Sequence, residues 1–92
     1  MESVEEIIDF AGVTKEDIVY DLGCGDGRLC IAASRKAGCR SVGIEIEPRV
    51  AEKARAAAQE AGLSQLVTII EGDLETTSFA DATLIFVFLL PE

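Results

Sequence analysis

The sequence contains neither tryptophan nor histidine, and aromatic residues make up only 5% of its 92 residues. With so few aromatic side chains, binding of single-stranded nucleic acid by base stacking is disfavoured. The cysteines lie at positions 24, 30 and 39 without a C-x-x-C pair, and no histidine is present to complete a zinc site. The sequence therefore predicts no metal site.

Positive charge is also scarce, because 8 Lys and Arg residues stand against 17 Asp and Glu residues and the net charge is −9. An acidic surface repels nucleic-acid phosphates and anionic membranes, so we expect a basic peptide or a small cation as partner. The apolar run over residues 82–91 is too short to span a bilayer as a helix. Because no signal peptide is recognisable and the cysteines are predicted to be reduced and buried, we expect a cytoplasmic protein.

The chain does contain an alternation of strand and helix patterns, and its length fits a single domain over residues 1–92. Apolar spacing and capping residues predict helices over 3–11, 26–37 and 49–61, and strands over 18–22, 41–46, 66–71 and 82–90. Strands that alternate with helices imply right-handed parallel crossovers and an α/β layered sheet.

A glycine-rich turn follows the first predicted strand and leads directly into a helix. The segment reads Asp21-Leu22-Gly23-Cys24-Gly25-Asp26-Gly27. Its glycines allow positive φ and leave no Cβ between the backbone and a ligand. Such a turn is suited to hold a nucleotide-like ligand against the backbone, and a tight turn without any ligand is the alternative.

The charges beside this turn distinguish between the ligands that such turns bind. Dinucleotide-binding turns follow G-x-G-x-x-G and place a pyrophosphate on the helix N-terminus. Here Arg28 stands in place of the third glycine, and the carboxylates Asp21 and Asp26 flank the turn. These acids repel a pyrophosphate and attract a cationic ligand such as S-adenosylmethionine, which carries an ammonium and a sulfonium group. A helix-capping role is the structural alternative for Asp21.

This segment resembles motif I of the class I S-adenosylmethionine-dependent methyltransferases. The resemblance implies an α/β, Rossmann-like three-layer sandwich, in which a parallel sheet of about four strands has the order 3-2-1-4. It implies S-adenosyl-L-methionine as cofactor. It also implies that Asp21, Gly23, Cys24, Gly25 and Gly27 belong to the cofactor-binding site.

Two further segments supply the remaining predicted site residues. Glu45 ends the second predicted strand, and an acid about 20 residues after the turn is positioned to accept hydrogen bonds from two ribose hydroxyls, in this cofactor or in NAD. Gly72-Asp73-Leu74 resembles the methyltransferase segment that borders the adenine. That resemblance implies that Asp73 accepts from the adenine amino group, that the Leu74 N–H meets a ring nitrogen, and that Ile46 packs on the adenine face. A solvated strand end and simple turn chemistry are the alternatives for the two acids.

Four blocks together narrow the resemblance: Asp21–Arg28, Gly43–Pro48, Gly72–Leu74 and Leu89–Pro91. They are similar to a prokaryotic methyltransferase-domain family related to mitochondrial protein-lysine methyltransferases. This implies N-methylation of a protein lysine or another amine, with no catalytic residue assigned. The segment 89–92 stands where nucleic-acid amino methyltransferases often carry Asn-Pro-Pro-Tyr, so nucleobase methylation is disfavoured.

The fourth predicted strand, residues 82–90, is apolar on both faces, which is typical of a strand buried between helices with neighbours at both edges. In the fold that the chain resembles, three more strands lie beyond it. We therefore expect the cofactor-binding half alone, without the C-terminal strands. An open apolar edge favours pairing with another chain, which predicts a homo-oligomer through residues 82–90 or a completing chain.

Two other functions stay open from the sequence. A non-catalytic S-adenosylmethionine-binding or self-assembling half-domain has the same motifs. A dehydrogenase half that binds NAD is disfavoured by Asp26 and Arg28.

Overall fold

The computed structural model describes residues 3–87, in which helices and strands alternate as far as the third strand and a fourth strand then follows without a helix between them. In chain order these are α1 (Val4–Ala11), β1 (Ile18–Leu22), α2 (Arg28–Ala37), β2 (Arg40–Glu45), α3 (Pro48–Glu60), β3 (Val67–Glu71) and β4 (Leu84–Val87). Each predicted element is present, with limits that differ from the prediction by at most two residues within the described range. The part of the predicted fourth strand over 88–90 lies outside the described residues, as do 91 and 92.

The strands form one parallel sheet in the order β3-β2-β1-β4. The predicted Rossmann-like fold and its strand order are therefore confirmed. In the sheet register, Asp21 of β1 lies beside Gly43 of β2 and Phe86 of β4. Because all strands run the same way, the loops that follow β1, β2 and β3 meet at one edge of the sheet.

Local signals explain where the first two helices begin. The Ser3 hydroxyl accepts from the Glu6 N–H at 3.1 Å, while the Glu6 carboxylate accepts from the Ser3 N–H at 3.1 Å. This reciprocal cap satisfies two donors that have no intrahelical partner. Helix α2 begins at Arg28, two residues later than predicted, because Gly27 takes a left-handed conformation with φ of 80° that cannot continue a helix.

One face of the sheet packs against the helices of the described chain. Val19 and Leu84 share a cluster with Ile8 of α1 and Leu29 of α2. Val67 and Ile69 share a second cluster with residues of α2 and with the alanines of α3. Small side chains on α3 let that helix lie close to the sheet, and the Cβ position of Gly27 is 3.1 Å from Cβ of Ala54. The buried residues of these two clusters are aliphatic side chains and cysteines.

The opposite face carries no helix from the described part of the chain, so residues 3–87 form two layers and not the three-layer sandwich that was expected. Its buried residues Tyr20, Val42 and Ile44 pack instead under Phe79, from the segment 72–83 that connects β3 to β4. On this face Ile85 and Val87 are 45% and 52% exposed. The prediction that the fourth strand is buried on both faces is thus wrong for the described residues, because only its Leu84 and Phe86 side faces a helical layer.

Candidate functional site

A cavity of about 310 Å³ lies at the carboxyl edge of the sheet, where the loops after β1, β2 and β3 meet. It brings together Gly23, Glu45, Ile46, Asp73 and Leu74, which come from three separate predicted segments. The remaining lining residues are Ile44, Gly72 and Glu75. Of these, Glu75 was not singled out from the sequence, because an acid in a polar turn carries no signal of its own.

The glycine-rich turn adopts the conformation that its composition predicts. Gly23, Gly25 and Gly27 have φ values of 81°, 56° and 80°, a region that other residues rarely enter. The Gly23 and Cys24 N–H groups both donate to the Ile44 carbonyl, at 2.8 and 3.0 Å. The turn therefore lies across the end of β2, directly beside the cavity.

The Glu45 carboxylate is held by backbone on both of its oxygens. Gly25 donates to Oε1 at 2.9 Å, and Glu47 donates to Oε2 at 3.1 Å. Hydrogen bonds of this kind to a charged group are among the stronger ones in proteins. Each oxygen keeps a lone pair that these two bonds do not use, and the residue lines the cavity. Glu45 is thus a fixed acceptor for two donors of a ligand.

The two acids beside the turn differ in their surroundings. Asp26 is half-exposed and forms an ion pair with Arg28 at 2.8 Å, so its charge is largely balanced. Asp21 is only 3% exposed, and its Oδ1 accepts no hydrogen bond from the described residues. Burial, with a smaller effect of the nearby Glu45 charge, raises the pKa of Asp21 to about 6. Asp21 is not among the residues that line the cavity, but a buried carboxylate whose Oδ1 lacks a partner among the described residues favours a cationic ligand nearby.

The Cys24 side chain points away from the cavity, into the cluster that contains Cys30 and Ala54. Burial raises the pKa of its thiol to about 12, and the Asp21 and Glu45 charges act in the same direction. The thiol is therefore neutral at physiological pH and does not behave as a nucleophile. Any contact of residue 24 with a ligand has to come from its backbone.

The segment after β3 is anchored beside Glu45. The Gly72 N–H donates to the Glu45 carbonyl at 2.9 Å, and Oδ1 of Asp73 accepts from the Glu75 N–H at 2.9 Å. Ile46 is 62% exposed and Leu74 is 40% exposed. Two exposed apolar side chains that line one cavity are suited to contact a flat apolar ring.

A larger cleft of about 500 Å³ lies among the three helices and reaches Asp26 and Arg28 at the end of the glycine-rich turn. It is lined by exposed charged side chains of α2 and α3, among them Arg35 and Lys53. It contains none of the nine predicted site residues. The cavity at the strand edge is the better candidate, because ligands of open α/β sheets bind outside the carboxyl ends of the strands.

Within residues 3–87, no group of three or more His, Cys, Asp or Glu side chains has an arrangement that could hold a metal ion. The helices of that same range are all too short or too polar to cross a lipid bilayer.

Residues 21–92 match the sequence model of the ANTKMT methyltransferase domain. Over 88 residues the chain is 35% identical to a protein-lysine N-methyltransferase of Saccharolobus islandicus strain REY15A. That alignment covers 95% of this chain and 55% of the relative.

Two solved structures that are similar to this chain are also those of methyltransferases. An RNA methyltransferase from Salinibacter ruber, in complex with S-adenosyl-L-homocysteine, superposes with a TM-score of 0.92 at 45% identity, over 96% of this chain and 57% of that one. A methyltransferase from Geobacter sulfurreducens, also in complex with S-adenosyl-L-homocysteine, has a TM-score of 0.84 at 25% identity, over 91% of this chain and 34% of that one. The chain thus spans 55% and 57% of the length of the first two of these three proteins and 34% of the third.

Proposed function

The chain belongs to the ANTKMT methyltransferase domain family, and on this premise we propose that residues 1–92 form one S-adenosylmethionine-binding half-domain of a methyltransferase. The cavity at the strand edge is the proposed cofactor site. The observation that carries this proposal is the Glu45 carboxylate, which backbone N–H groups hold at both oxygens beside the glycine-rich turn. Two similar solved proteins contain S-adenosyl-L-homocysteine, the product that this cofactor leaves after methyl transfer.

We assign the adenosine end of the cofactor to the side of the cavity formed by β2 and β3. Glu45 accepts from both ribose hydroxyls, as its two fixed oxygens allow. Ile46 and Leu74 contact the two faces of the adenine, which their exposure beside the cavity supports. Asp73 accepts from the adenine amino group through Oδ2, since its Oδ1 is already bonded to Glu75. The Leu74 N–H donates to a ring nitrogen.

We assign the methionine end to the glycine-rich turn. Gly23, Gly25 and Gly27 supply a backbone without side chains, and the backbone of Cys24 continues that surface. Asp21 attracts the ammonium group, because its Oδ1 lacks any partner among the described residues. A cation at this position offsets the cost of a buried negative charge.

When bound, S-adenosylmethionine supplies a methyl group on a positively charged sulfur. The chain's own contribution is orientation: Glu45 and the turn fix the two ends of the cofactor, so that an amine can approach in line with the carbon–sulfur bond. The cofactor would supply the methyl group, and its sulfur would be the leaving group. No residue among those described is assigned to catalysis.

A protein lysine is the acceptor that we propose. The Saccharolobus islandicus relative is a protein-lysine N-methyltransferase, and a net charge of −9 attracts basic peptides and repels RNA. The test is incubation of the chain with methyl-labelled S-adenosylmethionine and a lysine-rich peptide, with the arginine analogue of that peptide as control. Label on the lysine peptide alone supports the proposal. An RNA substrate is tested in parallel, because the similar protein from Salinibacter ruber is an RNA methyltransferase. Label on the RNA instead of the peptide contradicts the proposal.

Cofactor binding is measured separately from turnover, by calorimetric titration with S-adenosylmethionine, S-adenosylhomocysteine and NAD. Saturable binding of the first two alone supports the proposed site, and binding of NAD alone contradicts it. Binding without methyl transfer to any amine supports the alternative, a non-catalytic cofactor-binding or self-assembling half-domain.

We further propose that the chain self-associates through β4, or is completed there by another chain. Ile85 and Val87 are exposed at this edge of the sheet. The opposite edge is protected, because Arg55 donates from Nε and Nη2 to the Ile69 carbonyl at 3.3 and 3.1 Å. Light scattering during gel filtration should show a dimer that Ile85→Lys dissociates. A monomeric wild type at micromolar concentration contradicts self-association.

A cytoplasmic location is proposed on the cysteines alone. Cys24, Cys30 and Cys39 are buried and form no disulfide, as in proteins of reducing compartments. Labelling with a thiol reagent before and after unfolding without reductant tests their redox state, since buried reduced cysteines react only after unfolding and disulfide-bonded cysteines do not react.

A further inference from the structure

Residue 43 has ordinary strand backbone geometry, so a turn does not explain why it is a glycine. It lies inside β2, in register with Asp21 of β1 and Ile69 of β3. Its φ is not among the positive values of the described chain. An isolated glycine inside a strand weakens that strand, and it often marks a position where another group approaches the backbone closely.

The group that approaches Gly43 is the side chain of Cys24. A Cβ placed at residue 43 would lie 2.7 Å from Sγ and 2.8 Å from Cβ of Cys24, and 3.1 Å from Cδ1 of Ile69. Rotation of the Cys24 side chain moves Sγ but leaves its Cβ in place. Cys24 is 6% exposed and its thiol is neutral, so the contact is one of packing.

The hydrogen bonds that hold the turn surround this contact. The Gly23 and Cys24 N–H groups reach the carbonyl of Ile44, the residue after Gly43. The Gly25 N–H reaches the carboxylate of Glu45, at 2.9 Å. The distance between the turn and β2 is therefore set where Cys24 rests on Gly43.

We propose that the contact between Cys24 and Gly43 positions the glycine-rich turn against Glu45. Cys24 and Gly43 are then both positioning residues for the cofactor site. This inference rests on the proposed function for its consequence in binding, while its geometric part is independent of any ligand. To reach the 3.4 Å at which ordinary contact begins, Cβ of Cys24 must recede from a new Cβ by about 0.6 Å. The same shift stretches a bond of 2.9 Å to the limit of a hydrogen bond.

The test compares Gly43→Ala with the double variant Cys24→Gly/Gly43→Ala, which removes both obstructing atoms of residue 24. Ile69→Val is the matched control, because it deletes the third neighbouring atom and loosens the core without touching the turn. Amide hydrogen exchange is measured by NMR on the 92-residue chain. Exchange of the Gly25 N–H is compared with that of Val42 in the body of β2.

In Gly43→Ala we expect the Gly25 amide to exchange at least tenfold faster relative to Val42. In Ile69→Val the ratio stays unchanged, and the double variant restores most of the wild-type ratio. A merely structural role for Gly43 would accelerate both amides alike. That result, or an equal change in Ile69→Val, overturns the proposal.

If Gly43→Ala does not fold, the double variant decides. A folded double variant with a protected Gly25 amide supports the steric pair, and failure of that variant to fold, or an unprotected Gly25 amide, overturns it. Affinity for S-adenosylhomocysteine is measured on the same samples, with a tenfold or greater loss expected in Gly43→Ala. If the wild type binds no S-adenosylhomocysteine but the exchange pattern holds, the proposed function fails and the positioning contact stands. Binding that is indifferent to all variants, without the exchange pattern, leaves the function standing and removes this inference.

Discussion

Replacing Asp21 with asparagine should make the protein more stable and its cofactor binding weaker. The carboxyl is 3% exposed, and its Oδ1 accepts no hydrogen bond from the described residues. Burial, followed by the charge of Glu45, raises the pKa of Asp21 from 3.8 to about 6. Asparagine keeps the shape of the side chain and removes the charge.

The size and sign of the stability change in Asp21→Asn follow from this pKa. Between pH 3.8 and about 6 the folded state binds more protons at Asp21 than the unfolded state does, so the stability that this group contributes is lost as the pH rises through that window. The pKa difference corresponds to about 3 kcal/mol. Asp21→Asn removes this cost above pH 7 and changes little below pH 4. Burial of an amide without a full set of partners reduces the net gain to about 2 kcal/mol.

Urea denaturation of both proteins at several pH values between 4 and 8 measures this difference. The free energy of unfolding of Asp21→Asn should exceed that of the wild type by an amount that grows from pH 4 to about 6 and then stays constant. The control is Asp26→Asn: hydrogen bonds from Arg28 lower the pKa of Asp26, so that carboxylate contributes stability at neutral pH that is lost as the pH falls. A difference between wild type and Asp21→Asn that stays flat across the range would refute the reasoning.

The same variant tests the role of Asp21 toward the ammonium group. S-adenosylhomocysteine carries that ammonium group and adenosine does not, so calorimetry should show a loss of affinity for the first ligand and little change for the second. A more stable protein with a weaker site is the expected trade-off for a buried charge kept for binding. Equal losses for both ligands would count against this assignment.

The remaining predictions concern the ribose contact, the helix packing and the connection across the open sheet face. Glu45→Ala should weaken S-adenosylmethionine binding by about 1.5–3 kcal/mol, and unchanged affinity in a titration would overturn the ribose assignment. Gly27→Ala should lower the free energy of unfolding by about 1–3 kcal/mol, because φ is 80° and the new Cβ lies 3.1 Å from Ala54; chemical denaturation measures this, and a stable variant would contradict the strain. Tyr20→Phe removes the 2.6 Å hydrogen bond to Asp81 and should cost about 1 kcal/mol in the same assay, with no loss expected if solvent already satisfies both groups.

Most of the fold was predictable because its signals are local. The reciprocal cap at Ser3, the glycine after α1 and the apolar spacing of each helix act within a few residues. Asp21 and Glu45 were predicted as site residues from local signals as well, since each follows from its own segment; of the two, Glu45 lines the cavity at the strand edge. The pattern in residues 82–87 gave a strand but overestimated its burial, because an apolar sequence does not say whether a neighbour covers it.

The sequence by itself determined the alternation of strands and helices, the positive φ values of the turn and the candidate residues of the cofactor site. Only the tertiary structure decided how those residues meet. The parallel register places Asp21 beside Gly43, and the turn then sets Cys24 on that glycine and Gly25 on Glu45. It also separates two acids that look alike in the sequence: Asp21 is buried, with an Oδ1 that has no partner among residues 3–87, whereas Asp26 is exposed and paired with Arg28. The contacts between the turn and β2 join segments about 20 residues apart, and their geometry depends on strand pairing that no local pattern encodes.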